Sequence, residues 1–312
     1  MSKQREHGVE FLQASSQSVS VIVPCKNEED AIQVTIQGIQ DALDGTAIQY
    51  EIIVVDDGST DQTRQKAIDA GVRVLVHEAN MGYGNSLMNG MKIAKYPLIA
   101  MLDADGTYDP AELPRMIEAT SRHHMVIGQR TWTSDNTSLT GKVFRKALYY
   151  VILVLSGVKC PDFNSGFRVF HKYNILDYRP VLCPTFSFTT SLTVLFLQSA
   201  HSVHFMPIEY AKRIGNSKVN YFKDAVKTFT YVFSITSILR PYRINMLFVL
   251  IAILANALVM VSGLFCPIIS AMQVGLHTII SVPLMIASMA VNTYINSRIY
   301  HQQPKDDKSN KL

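Results

Sequence analysis

Between Arg243 and Arg298 the chain carries no Asp, Glu, Lys or Arg; across the 54 residues Ile244–Ser297 the only basic or acidic side chain is His277. A bilayer core takes about 20 apolar residues per helical crossing, so this stretch is too long for one crossing and suits two with a tight turn. The expected helices are Ile244–Phe265 and Ile268–Ile295, with Cys266-Pro267 near the turn. Gln273 and His277 sit within the second. The competing reading is a helical hairpin buried in a soluble core, although globular helices seldom run so far without charge. The same stretch explains why charged residues make up only 17% of 312, against roughly 25% in an ordinary soluble domain.

Flanking cations give an orientation. Arg240 and Arg243 precede the apolar stretch, and Arg298, Lys305, Lys308 and Lys311 follow it. The positive-inside tendency then puts both ends, and the large N-terminal part, in the cytoplasm. Met1–Gln17 is polar, without the apolar core of a secretion signal. The four cysteines Cys25, Cys160, Cys183 and Cys266 show no paired metal spacing and are expected as free thiols in a reducing compartment.

Ahead of the apolar stretch, strand and helix patterns alternate. Strands are expected at Ser18–Pro24, Tyr50–Val55, Val72–Val76, Leu98–Leu102 and Met125–Gly128. Helices are expected at Glu28–Leu43, Thr60–Ala70, Asn85–Ala94 and Pro110–Ser121, where Pro110 suits a first turn. Alternation of this kind implies an α/β fold with a mainly parallel sheet covered on both faces. Ligands of such sheets bind at the carboxyl ends of the strands. Four small polar loops fall there: Pro24–Glu28, Asp56–Asp61, Asn80–Asn85 and Asp103–Asp109. Two further segments, Leu139–Val158 and Tyr221–Leu239, are amphipathic and suit either a membrane interface or the domain's own core. His123-His124 follows a helix and is expected to face solvent.

Asp103 and Asp105, one residue apart at a strand's mouth, repel each other unless something positive lies between them. Two such carboxylates suit a hard divalent cation, Mg²⁺ or Mn²⁺, which takes oxygen ligands and shares them with substrate phosphates. No Walker A, GxSxG or HExxH pattern is present, and Gly82-x-Gly84 lacks the third glycine of a dinucleotide fingerprint; it is expected to let backbone approach a ligand. The net charge of +4 fits an anionic lipid surface better than nucleic acid.

The ordered segments Val21-Ile-Val-Pro-Cys-Lys-Asn-Glu28, Val54-Val-Asp-Asp-Gly-Ser-Thr-Asp61, Asn80-Met-Gly-Tyr-Gly84 and Leu102-Asp-Ala-Asp-Gly106 resemble the motif set of family 2 glycosyltransferases with the GT-A fold. Asp162-Phe-Asn-Ser-Gly-Phe-Arg168 and Arg213-Ile-Gly-Asn-Ser-Lys218 resemble the branch that glycosylates polyprenyl phosphates. The resemblance covers roughly 18–220 and implies a GT-A, Rossmann-like catalytic domain over that range. Around it would lie a flexible 1–17, an amphipathic juxtamembrane helix at 221–243, the two membrane helices in 244–297 and a cytoplasmic tail at 298–312. It implies that Pro24, Asn27, Glu28, Asp57, Asn80, Gly82, Asp103 and Ala104 hold the nucleotide sugar. Asp103 and Asp105 would bind Mg²⁺ or Mn²⁺, with Thr107 at a position where relatives often carry a Gln ligand. Arg130, Ser165, Arg168, Arg213 and Lys218 would hold the acceptor phosphate, and Asp105, Arg130, Arg168 and Arg213 would serve catalysis.

The expected partners are a nucleotide-sugar donor, a polyprenyl phosphate and the membrane, with no nucleic acid; a homo-oligomer is left open. The segment Phe186-Ser-Phe-Thr-Thr-Ser-Leu-Thr lacks the acid that relatives often carry there. A phosphate monoester has a second pKa of about 6 and is already a nucleophilic anion at neutral pH, so no protein base is required. Two other readings stay open: a transferase that elongates a lipid-linked or polysaccharide glycan, and an inactive membrane scaffold that keeps the fold.

Overall fold

The computed structural model describes residues 18–131, 139–172, 175–199, 201–211 and 221–263, together with position 286. Seven strands form one sheet: β1 (Ser18–Cys25), β2 (Gln49–Asp56), β3 (Arg73–Val76), β4 (Leu98–Met101), β5 (Met125–Thr131), β6 (Arg168–His171) and β7 (Val203–Glu209), in the order β3-β2-β1-β4-β6-β5-β7. The helices are α1 (Ile32–Leu43), α2 (Thr63–Asp69), α3 (Tyr83–Ile93), α4 (Leu113–Ala119), α5 (Leu139–Ser156), α6 (Phe188–Gln198), α7 (Tyr221–Leu239) and α8 (Pro241–Gly263).

β1 shows why these residues make a sheet buried on both faces. Val19, Val21 and Val23 point to one side, against Ile32, Ile36 and Ile39 of α1; Ile22 points to the other, against Leu87 and Met91 of α3. All nine side chains are almost fully removed from water, and burying each such aliphatic stabilises by about 1.5–3 kcal/mol. The sheet is mixed rather than purely parallel. β1, β2, β3 and β4 are parallel, but β6 runs antiparallel to both β4 and β5. The chain builds outward from β1 to β2 and β3, then crosses back to lay β4 on the other side of β1. This reversal opens a crevice at the carboxyl ends of β1 and β4.

α5, α6, α7 and α8 pile onto one face of the sheet. α7 buries Thr228, Val232, Ile235 and Thr236 at helical spacing and exposes Val226 and Phe229. α8 buries Ile244 but leaves Met246, Leu250, Ile253, Leu254 and Leu258 each more than half exposed. Among the described residues no single helix is long and apolar enough to cross a membrane; α7 and α8 meet that criterion only as a pair, bent by 114°. The expected first membrane helix coincides with α8, and the expected second, Ile268–Ile295, lies outside the described residues, as do 1–17 and the tail.

The two arginines read as membrane-flanking cations act within the fold. Arg240 Nη2 donates to the Gln198 carbonyl at the end of α6, and Arg243 Nη2 to the Val154 carbonyl near the end of α5, both at 3.5 Å. Cations at helix carboxyl ends are favourable. His123-His124 keeps partial exposure but also makes ring contacts. His123 stacks on His204 with ring centroids 4.8 Å apart, and His124 meets His201 edge-on at 5.0 Å. With His171, these rings gather at the sheet end opposite the crevice. The free thiols Cys25, Cys160 and Cys183 are all buried, and Cys266 falls outside the described residues.

Candidate active site

The crevice is a cavity of about 440 Å³. Three loops of its wall come from β1, β2 and β3 and are tied to one another. Beyond β1 the backbone turns through Asn27, at φ 50°, a region Asn tolerates better than most residues. The Asn27 amide donates to Ser59 Oγ at 2.9 Å, its Oδ1 accepts from the Thr60 amide at 2.8 Å, and the Glu28 amide donates to Thr63 Oγ1 at 2.8 Å. Asp57 is the hub. Its Oδ1 accepts from the Met81 amide (2.7 Å) and pairs with His77 Nδ1 (2.8 Å), while Oδ2 accepts from the Gly82 amide (2.8 Å). Hydrogen bonds to a carboxylate are the stronger kind, so this acid fixes the loop that starts α3. The neighbouring Asp56 is fully buried against Arg64 and the Ser59 amide.

Gly82 and Gly84 serve packing. Gly82 sits at φ 96°, and a side chain there would place Cβ 2.7 Å from the Pro184 carbonyl oxygen; at Gly84 it would lie 2.2 Å from that of Cys183. The close approach expected toward a ligand is therefore made toward the segment before α6, although Gly82 still lines the cavity.

The acid pair follows β4. Asp103 Oδ1 accepts from Tyr83 Oη at 2.7 Å, and Asp103 lies against Gly166, whose Cβ would come within 2.4 Å of its Oδ2. Burial first, and then Asp103, push the Tyr83 hydroxyl well above its ordinary pKa, so it stays a donor. Asp105 Oδ1 accepts from the Thr107 amide (3.1 Å) and hydroxyl (2.6 Å). Both aspartates line the cavity. Thr107 does not: it is buried behind Asp105 with its hydroxyl donated to that carboxylate. It orients Asp105, which corrects its expected place as a metal ligand.

Of the other expected donor-site residues, Pro24, Glu28, Asp57, Asn80, Gly82, Asp103 and Ala104 line the cavity together, whereas Asn27 ties two loops from behind. Of the expected phosphate clamp, the described members Arg130, Ser165 and Arg168 do not line the cavity. Arg130 makes a two-pronged pair with Asp162, Nε to Oδ2 and Nη2 to Oδ1, both 2.8 Å. Burial works against both charges, but their hydrogen bonds outweigh it, raising the pKa of Arg130 and lowering that of Asp162. Arg168 is fully buried. Its guanidinium donates to the carbonyls of Ser165 (2.7 Å) and Phe163 (2.8 Å) and to Thr193 Oγ1 (2.6 Å). Ser165 is fully buried as well. Arg130 and Arg168 thus fasten the two ends of the loop 162–168, and that loop presents Asn164 and Gly166 to the cavity. The three nitrogens of Arg168 are thus all engaged within the fold, away from the cavity. Arg213 and Lys218 lie outside the described residues.

Several lining residues were not singled out from the sequence. Tyr83 and Phe186 stack at 5.9 Å with rings 9° apart, and α7 contributes Asp224 and Lys227 to the wall. The i, i+3 spacing of that last pair on an amphipathic helix was the signal available. Cys25 also lines the cavity. Burial, then the nearby carboxylates, push its thiol far above the ordinary range, which leaves it un-ionised and poorly nucleophilic.

A nucleotide-binding type of sheet, with paired acids at its switch point and a cavity beside them, is the architecture of a GT-A sugar transferase. The model of glycosyl transferase family 2 matches residues 20–179, just over half of the chain, and the chain belongs to that family. It is 37% identical over 118 residues to an undecaprenyl-phosphate 4-deoxy-4-formamido-L-arabinose transferase of Edwardsiella ictaluri, covering 36% of each protein. It is 25% identical over 221 residues to an undecaprenyl-phosphate mannosyltransferase of Micrococcus luteus, covering 65% of this chain and 87% of that one. Against the arabinose-derivative transferases of E. ictaluri, Photorhabdus laumondii and Aeromonas hydrophila it spans 36%, 64% and 50% of their length. Among solved structures, glucosyl-3-phosphoglycerate synthase of Mycobacterium tuberculosis, in complex with Mn²⁺, uridine diphosphate and glucosyl-3-phosphoglycerate, shares the fold. Its TM-score is 0.55 at 19% identity, over 70% of this chain and 80% of that one.

Proposed function

We propose that this protein transfers a sugar, with inversion, from a UDP- or GDP-linked donor to a polyprenyl phosphate at the cytoplasmic face of a membrane. The observation that carries this reading is the composition of the crevice cavity. One wall holds the acid pair and the nucleoside loops; the other is α7, which runs directly into the apolar α8. A soluble, charged donor and an amphiphilic acceptor need such a pair of walls. The matched relatives named as undecaprenyl-phosphate transferases support the same acceptor class.

In this reading Pro24, Glu28, Asp57 and Asn80 hold the nucleoside. Asp103 and Asp105 hold Mg²⁺ or Mn²⁺, and the oxygen chemistry of the pair fits such an ion. Among the described residues no three acids, histidines or cysteines converge on one point, so the protein's share is these two carboxylates and the donor's phosphates complete the shell. When bound, the cation offsets the charge of the departing diphosphate. Tyr83 and Thr107 keep the two acids in place. The acceptor phosphate attacks without a protein base. α8 and the apolar stretch 268–295 are the membrane anchor, and Arg213 and Lys218 remain the motif cations for the acceptor. Incubating the purified chain with a panel of nucleotide sugars and a polyprenyl phosphate, then weighing the lipid product, tests this directly. Failure to form polyprenyl-phosphate sugar from every donor would overturn it.

A second reading is favoured by one observation. A hydroxyl acceptor would need a base, and Asp224 is the acid on the α7 wall. Sugar transfer to a glycan hydroxyl, lost in Asp224→Asn, would establish that reading instead.

A further inference from the structure

With Arg130 and Arg168 turned toward the loop 162–168, the described cavity wall keeps two cations, Lys26 and Lys227, against five acids: Glu28, Asp57, Asp103, Asp105 and Asp224. Lys26 stands on the β1 loop, among the residues that face the nucleoside. Lys227 stands on the opposite wall, on α7. Its ammonium donates to Thr185 Oγ1 at 3.4 Å, a long bond that a stronger acceptor can replace. Exposed apolar side chains stand on the same helix and at the cavity rim. Val226, Phe229 and Phe186 are each more than two-fifths exposed, and Phe186 forms part of the rim.

A positive charge on a helix that also exposes apolar side chains, at the edge of an acid-lined cavity, suits a phosphate monoester carried on a hydrocarbon chain. The chain would lie over Val226, Phe229 and Phe186, and the anion would meet Lys227 before it meets the repelling carboxylates. The bend of 114° between α7 and α8 turns α7 across the direction of α8. If α8 stands in a bilayer, α7 lies along its surface, at headgroup level.

We propose that Lys227 is the ligand that receives the acceptor's phosphate at the cavity rim, a role neither the family motifs nor the sequence gave it. This rests on the polyprenyl-phosphate reading above. A lysine suits the task because it binds as a mobile point charge rather than a fixed fork, and can follow the phosphate from rim to acid pair.

The test uses the full chain in neutral detergent micelles containing polyprenyl phosphate, so that no bilayer charge contributes. Lys227→Met is expected to raise the KM for the lipid phosphate roughly tenfold or more, as loss of a charge-assisted contact would, with the KM for the donor within about twofold of wild type. Lys227→Arg is expected to recover most of the loss. An unchanged KM for the lipid phosphate, a change confined to the donor, or an effect seen only in anionic vesicles would each overturn the assignment. If the wild type itself transfers nothing to polyprenyl phosphate, the underlying acceptor reading is what fails.

Discussion

The two walls of the cavity are held by different forces. The wall built on β1, β2 and β3 is cross-tied by carboxylates to backbone amides: Asp57 grips Met81 and Gly82, and Asp56 grips Ser59. The wall built on α6 and α7 is held by apolar packing and by hydroxyl contacts such as Ser187 Oγ to Thr228 Oγ1 at 2.7 Å. Charge-assisted bonds to amides fix position closely, whereas packed helices slide at small cost. The contrast suits the proposed reaction, in which one substrate is held in register and another is admitted from a different phase.

The largest effect should come from the fixed wall. Asp105→Asn keeps the shape but halves the charge pair, and turnover should fall by roughly a thousandfold, the scale of removing a group that stabilises developing charge. Measured sugar transfer near wild type would break the comparison. Next, Gly166→Ala brings a methyl within 2.4 Å of Asp103 Oδ2. The carboxylate is the movable end of a side chain, so the fold should survive while kcat/KM drops roughly ten- to a hundredfold, as small misplacements in active sites do. A melting temperature that falls along with activity would show that the loop, not the acid, had moved.

Arg168→Met sharpens the contrast from the other side. It strips partners from two carbonyls and Thr193, so unfolding should become easier by about 2–4 kcal/mol, read in a denaturant titration. Arg168→Met protein that is equally stable but has a raised KM for the lipid phosphate would restore Arg168 to the clamp. The smallest effect concerns the far end of the sheet. Burial, then neighbouring charges, lower the pKa of His123, His171 and His201 below the ordinary 6.5. The folded state therefore binds fewer protons than the unfolded chain below that value. Stability should be fully present above pH 6.5 and decline as pH falls through it, while the donor wall, distant from these rings, keeps its KM. Melting curves across that range check the first statement and donor titrations the second.

The donor wall was legible because its signals are local. A β-branched run ending in a small polar loop names both a strand and its functional end, and β1, β2 and the acid pair follow from that pattern. Both bounds of α7 could be read from its apolar stripe. β6 was not legible: four residues beginning with a buried arginine carry no strand pattern, and only long-range pairing with β4 and β5 makes them one. β7 was hidden by Pro207, which an edge strand tolerates. The arginines misled for a related reason. A motif shows that a cation is needed near the site, but not whether it faces the ligand or holds the loop that does. The histidines went unread because their partners, His201 and His204, lie about 80 residues on.

The break at Arg240 has a mechanical corollary. α7 ends at Leu239 and α8 begins at Pro241, whose ring has no amide hydrogen to continue the ladder. The elbow is pinned as well as bent, because Arg240 and Arg243 tie it to α6 and α5; a tilt of α8 would be passed to those helices and to α7, and so to the side chains that α7 sets in the cavity. Were α8 seated in a bilayer, a membrane too thin or too thick for it would thereby adjust the mouth of the cavity.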